Sequence, residues 1–226
     1  MINASEEKFL EPAGAAYVDE VIFRYLLIKG DTVGGIMRNR IGKLGQERLI
    51  RMIFSVMNVR AMTCDKLSVN STVWERTNTF TADAEKNLRA LHWINLRGKR
   101  ILIFNAKIPT VNKNVDLCLF AGEPEDFNNI VRCNEKAIMF GELKGGIDPA
   151  GADEHWKTGN SALNRIRIKF AEIGFPKIKT SFVAAAIERA MAEEIFSQLQ
   201  SGMLTNVANL TKDNQLAEFC NWLLDL

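Results

Sequence analysis

Apolar and polar positions alternate with two different periods along this chain, and the change of period divides it. Residues 15–30 read as a helix ending at Gly30. A loop punctuated by glycine follows, "GDTVGGIMRNRIG". In "KLGQERLIRMIFSVMNV", Leu44, Ile50, Ile53 and Met57 leave an apolar stripe of helical period. Residues 82–95 are expected to form a further helix, so the first part of the chain reads as mainly helical.

From residue 99 the pattern becomes that of strands. "KRILIFNAKI" is rich in β-formers, and "NVDLCLF" is a short strand. On that strand Val115, Leu117 and Leu119 are expected on one face, with Asp116, Cys118 and Phe120 on the other. "KAIMFGELKGG" is a third apolar strand, broken at Gly145-Gly146. The next helix has Asn160-Ser161 as its expected N-cap, Leu163, Ile166, Phe170 and Ile173 on its inner face, and Gly174 after its end. "SFVAAAI" reads as a buried strand and "ERAMAEEIFSQLQSG" as an amphipathic helix closed by Gly202. "LTNVANL" is a last strand. "TKDNQLAEFCNWLLDL" is a helix with Leu216, Phe219 and Leu223 inward.

Consecutive strands make a meander, and a strand–helix–strand crossover then adds a parallel neighbour. The expected fold is α/β (α+β), a mixed five-stranded sheet flanked by helices. Residues 1–98 form a mainly helical N-terminal part packed on a core of residues 99–226, and the whole is read as one compact domain.

Composition narrows the class. The chain has 226 residues, 47% of them hydrophobic and 25% charged, as in soluble globular proteins. No apolar run reaches the ~20 residues that cross a bilayer, and "MINASEEKFLEP" lacks the basic start and apolar stretch of a secretory signal. Cys64, Cys118, Cys133 and Cys220 are widely spaced, with no Cys-x-x-Cys, which argues against zinc and for reduced thiols in a cytoplasm. Net charge is only +2, but "RNRIGKLGQERLIR" and "RIRIK" are locally basic and read either as a phosphate-tracking surface or as solvated helix faces.

The chemistry concentrates in "MFGELKGGIDPAGADEHWKT", residues 139–158. Glu142 and Lys144 are two apart on a strand and share a face. Charges on so apolar a strand need a partner or a metal. If the neighbouring strand pairs with it as a hairpin, Asp116 converges on Glu142. Two carboxylates and the main-chain carbonyl of Leu143 suit Mg²⁺, which prefers oxygen ligands. A lysine beside them suits metal-assisted phosphodiester hydrolysis. The plainer alternative is an edge-strand salt bridge.

His155 is a candidate proton carrier or a surface histidine. His92, expected in a helix, reads as structural, and Trp156 as packing. Asp148 is either a base-reading acid or an Asp-Pro turn starter. Arg38, Asn39 and Arg40 suit guanine, adenine or phosphate, with Gly30, Gly34 and Gly35 allowing close backbone approach; the alternative is a plain connecting loop. No phosphate-loop or dinucleotide fingerprint is present, so no nucleotide cofactor is expected.

"GELKGGIDPAGADEHWKTGNSALNRIR", residues 141–167, resembles the catalytic segment of type II restriction endonucleases of the AvaI/BsoBI kind, within the PD-(D/E)xK nuclease superfamily. The glycine-rich Met-Arg-Asn segment and "NVDLCLF" extend the likeness more loosely. The resemblance implies a restriction-endonuclease-like core, Asp116 and Glu142 as Mg²⁺ ligands, Lys144 as catalytic lysine, and His155 near the scissile phosphate. Where those enzymes usually carry Pro-Asp, this chain has Val115-Asp116. Arg38, Asn39, Arg40, Asp148 and Lys157 are the candidate DNA contacts.

The implied protein is a cytoplasmic, Mg²⁺-dependent homodimer that cuts double-stranded DNA at a palindromic or near-palindromic site, with no membrane partner. The alternatives are a repair or structure-specific nuclease of the same fold and a non-catalytic DNA-binding module.

Overall fold

The computed structural model describes residues 14–77 and 83–226. They form two compact units, Met1–Ile41 and Gly42–Leu226. The described part of the first is the beginning of helix α1, Gly14–Val59, 46 residues long. The expected loop after Gly30 is therefore helix. Gly30, Gly34, Gly35 and Gly42 weaken a helix by ~1 kcal/mol each relative to alanine, but only proline breaks one, and no proline occurs between Pro12 and Pro109.

The second unit holds an eight-stranded mixed sheet among the described residues, three more strands than the sequence suggested. In chain order the strands are β1 Cys64–Ser68, β2 Glu75–Thr77, β3 Leu88–Asn95, β4 Gly98–Ile108, β5 Lys113–Ala121, β6 Ala137–Lys144, β7 Lys179–Ala184 and β8 Asn206–Asn209. They lie in the order β2-β1-β3-β4-β5-β6-β7-β8. Pairing is antiparallel from β2 through β6 and parallel from β6 to β8. The expected meander and crossover are present. Residues 88–95, however, are strand β3 and not a helix.

The remaining helices are α2 Phe127–Ile130, α3 Pro149–Glu172, α4 Arg189–Gln200 and α5 Asp213–Asp225. Helix α3 starts at Pro149, well before the expected Asn160-Ser161 cap; proline at the first helical position costs no hydrogen bond. Gly159, inside it, is a packing glycine. A Cβ there would lie 2.7 Å from Phe182 Cε2 on β7. Its end is as expected, with Gly174 at φ +91°.

Two apolar layers sandwich the sheet. On one side Leu49, Ile50, Ile53 and Met57 of α1 and Leu216, Phe219 and Leu223 of α5 pack on Leu102, Phe104, Leu117 and Leu119. On the other, Trp156, Leu163, Ile166 and Phe170 of α3 and Ile195 of α4 pack on Cys118, Phe120, Phe140 and Phe182. Ile173, expected inward, is 43% exposed. Val115 also departs from the expected alternation, since it packs with Cys118 and Phe120 rather than with Leu117 and Leu119.

Candidate functional site

Strands β5 and β6 bring the expected charges together. Their register pairs Leu117 with Gly141, so Asp116 and Glu142 are the next positions on adjacent strands. The approach is tight: a Cβ at Gly141 would lie 2.5 Å from Ser181 Oγ and 3.1 Å from Leu117 Cδ1. Lys144 Nζ lies 2.8 Å from Glu142 Oε2 and 3.9 Å from Asp116 Oδ2. The Leu143 main-chain N–H donates to Asp116 Oδ2 at 2.7 Å. One carboxylate is thus tied to the backbone of the strand that carries the other two charges.

Burial sets the electrostatics. Glu142 is only 6% exposed. Burial, and then the negative charge of Asp116, raise its pKa, with Lys144 and Arg165 opposing them. For Lys144, burial is the largest single influence and favours the neutral amine. Glu142 and Asp116 together outweigh it, and the pKa lies above the usual lysine value. Two acids therefore face one lysine at close range. Among the described residues no three His, Cys, Asp or Glu side chains converge. Any cation held here would rely on two carboxylates and backbone oxygen.

His155 stands on the first part of α3, and its ring covers Gly146, two residues beyond Lys144; a Cβ at Gly146 would run into it. The segment between strand and helix is shorter than the sequence suggested. Gly145–Asp148 is the connection, and residues 149–153 already belong to α3. Asp148 is exposed in this connection, and its carbonyl accepts the Gly151 N–H at 3.1 Å. Lys157 is exposed on α3 and paired with Asp153 one turn earlier. Trp156 is buried and donates its ring N–H to Glu194 at 2.7 Å.

Arg38, Asn39 and Arg40 are exposed on α1, in the unit Met1–Ile41. Successive helical residues turn by ~100°, so the three fan around the helix instead of lining a loop. Among the described residues a Cβ at Gly30, Gly34 or Gly35 would meet nothing within 4 Å.

One residue escapes the sequence reading. Arg165, whose charge acts on Glu142, sits in the basic run "RIRIK". Its neighbour Arg167 turns away to Thr180 Oγ1 and the Met203 carbonyl, so that run is not one phosphate-facing surface. His92 is structural, as expected, but on a strand: it is buried on β3, with Nδ1 2.8 Å from Asp65 Oδ2.

Comparison with known proteins agrees along the full length. The family model "Restriction endonuclease BsobI" matches residues 1–226. The chain is 48% identical over 231 residues to the type II restriction enzyme BsoBI of Geobacillus stearothermophilus, covering 100% of this chain and 71% of that protein. It is also 48% identical over 222 residues to the type II restriction enzyme AvaI of Nostoc sp., covering 97% of this chain and 70% of that protein. AvaI of Anabaena variabilis matches to the same extent. With a whole-chain family match and nearly half of all positions shared with these enzymes, the chain belongs to the BsobI restriction endonuclease family.

Proposed function

We propose that this protein is a type II restriction endonuclease that hydrolyses phosphodiester bonds of double-stranded DNA with Mg²⁺. It would act as a cytoplasmic homodimer on a palindromic or near-palindromic site. The observation that carries the reading is the gathering of Asp116, Glu142 and Lys144 on β5 and β6, in a chain whose full length matches the family. Two carboxylates against one ammonium leave an excess of negative charge that suits a divalent cation. Asp116, Glu142 and the Leu143 carbonyl would hold it. When bound, the ion supplies charge neutralisation at the phosphate and a more acidic water.

The chain's own groups divide the remaining work. Lys144, kept protonated by its two acids, offers a fixed positive charge to the attacked phosphate. His155, packed over Gly146 just past Lys144, receives the proton of the attacking water. Asp148 in the strand-to-helix connection and Lys157 on α3, both exposed, are proposed DNA contacts, as are Arg38, Asn39 and Arg40 on α1.

The N-terminal part, residues 1–98, is proposed to contact DNA and to dimerise. The support is apolar exposure along α1. Val18, Ile22 and Leu26 are 55%, 50% and 60% exposed, and Val33 and Met37 are 58% and 48% exposed. Val21, Phe23, Tyr25, Leu27, Ile28 and Ile36 are exposed as well, and a helix apolar on several faces normally buries them against protein.

The test is digestion of a DNA of known sequence with ends mapped, with and without Mg²⁺, by the protein and by Glu142→Gln. Discrete, metal-dependent fragments lost in the variant support the reading. Cutting of branched DNA alone would favour a repair nuclease. Salt-dependent binding without cleavage under any divalent ion would favour a binding module.

A further inference from the structure

Four non-glycine residues among those described have a left-handed backbone: Ala61, Asp83, Asn105 and Asn112. Three of them lie in turns, where that conformation is common. Asn105, at φ +53°, lies inside β4. Its position in the ladder is specific. Phe104 pairs with Leu117 and Ala106 with Val115, so Asn105 stands at the level of Asp116.

The side-chain alternation of both strands slips at this level. Before it, Leu102 and Phe104 of β4 face the α1–α5 layer and Ile101 and Ile103 the α3 layer. Past Asn105, Ala106 packs in the α3 layer, where strict alternation would have placed it opposite. On β5, Val115 makes the same slip across Asp116. Such local breaks bend a strand and re-aim a side chain, and they recur beside active sites.

Helix α1 holds the break from outside the sheet. Asn105 Nδ2 donates to Gln46 Oε1 at 2.6 Å. The preceding residue, Gly45, approaches the far side of the centre: a Cβ there would lie 2.8 Å from Gly145 Cα, the residue after Lys144. Adjacent positions of one helix thus touch the strand beside Asp116 and the end of the strand carrying Glu142 and Lys144.

We propose that Asn105 is a positioning residue for the cation centre: its left-handed step, fixed by Gln46, takes Asp116 out of the β4–β5 ladder and turns its carboxylate toward β6. The proposal rests on the reading of Asp116 and Glu142 as cation ligands. Nothing in Asn105 itself touches DNA or the cation in this scheme, so its effect passes through Asp116.

The test titrates Ca²⁺ alone into the full chain by calorimetry, with no DNA and no turnover, for Asn105→Gly, Asn105→Val, Gln46→Leu and Glu142→Gln. Glycine adopts positive φ freely, so Asn105→Gly keeps the dissociation constant within about three-fold of wild type. A β-branched residue resists that conformation, so Asn105→Val raises the constant about ten-fold or more. Gln46→Leu, which leaves the sheet untouched, raises it by about three-fold, as expected for one lost neutral hydrogen bond. In cleavage, Asn105→Val raises the half-saturating Mg²⁺ concentration more than it lowers the rate at saturating Mg²⁺.

Wild-type Ca²⁺ affinity in Asn105→Val, with Glu142→Gln weakened, overturns the proposal and leaves the centre standing. Wild-type affinity in Glu142→Gln overturns the centre itself. If Asn105→Val does not fold, Gln46→Leu decides: an unchanged constant there also overturns the proposal.

Discussion

Two places in this sheet bury an acid against a base, and they are built differently. At one, Asp65 on β1 meets His92 on β3, one acid to one imidazole at 2.8 Å. At the other, Glu142 and Asp116 share Lys144, at 2.8 and 3.9 Å. The first contact pairs one acid with one imidazole across two adjacent strands. The second sets two carboxylates against one lysine in contact, and burial, then the charge of Asp116, raise the Glu142 pKa against Lys144 and Arg165. A fold tolerates such crowding where something else completes it, and here the proposed completion is a divalent cation.

The sharpest way to break the contrast is to neutralise one acid at each place. Glu142→Gln should lower cleavage by about 10³-fold or more, because it removes charge from the proposed cation site and from the lysine's partner. The same change should leave the melting temperature of the metal-free protein unchanged or higher, since it relieves the burial and repulsion acting on that carboxylate. A variant that melts early and cuts poorly would place Glu142 with the structural pairs instead. His155→Ala comes next, with an expected loss of about 10²-fold at unchanged stability. Single-turnover cleavage at saturating Mg²⁺ measures it, and a wild-type rate removes His155 from the chemistry.

Asp65→Asn should show the opposite profile. It weakens a largely buried hydrogen bond and is expected to cost about 1–3 kcal/mol. In a chain of this size that lowers the melting temperature by roughly 2–12 °C. Cleavage at 25 °C should stay near wild type. A cleavage loss without a stability loss would mean that the β1–β3 pair, and not only the β5–β6 centre, serves the reaction.

The same contrast governs what the sequence could reveal. The β5–β6 centre was legible because strand periodicity alone puts Glu142 and Lys144 on one face, and a hairpin brings Asp116 to them. The β1–β3 pair was not. Leu88, Ala90, Leu91, His92 and Trp93 are all buried on β3, so no alternation marked the strand. Strands β1 and β2 have five and three residues and owe their form to their neighbours. Glycine misled most. Gly34 and Gly35 read as a loop, yet both lie within a helix. A glycine is ambiguous in a sequence because close packing and turning ask for the same missing Cβ. The slip at Asn105 and Asp116 has no periodic signature at all, and it is why strict alternation puts Val115 on the face opposite to the one it occupies.

The smallest effect expected reads the burial of Glu142 and the Asp116 charge beside it. Its pKa in the folded chain is raised above the usual 4.5. Between those two values the folded chain holds a proton that the unfolded chain has lost, so stability falls as pH rises. The contribution is complete below pH 4.5 and is lost as pH passes through the raised value. Lys144, also raised, contributes in full below its usual 10.5 and is lost only above it, outside this window. Asp126 is lowered by the Glu123 N–H and Lys136, so its contribution disappears only below 3.8. Melting of the metal-free protein from pH 5 to 8 should therefore carry a downward component that is absent in Glu142→Gln and unchanged in Asp65→Asn. Added Mg²⁺ should raise the melting temperature more at pH 8 than at pH 5, because the ion competes with that same proton for Glu142. Parallel melting curves for wild type and Glu142→Gln across this range would mean that burial and Asp116 do not raise the Glu142 carboxyl into it, and the distinction between the two pairs would then rest on geometry alone.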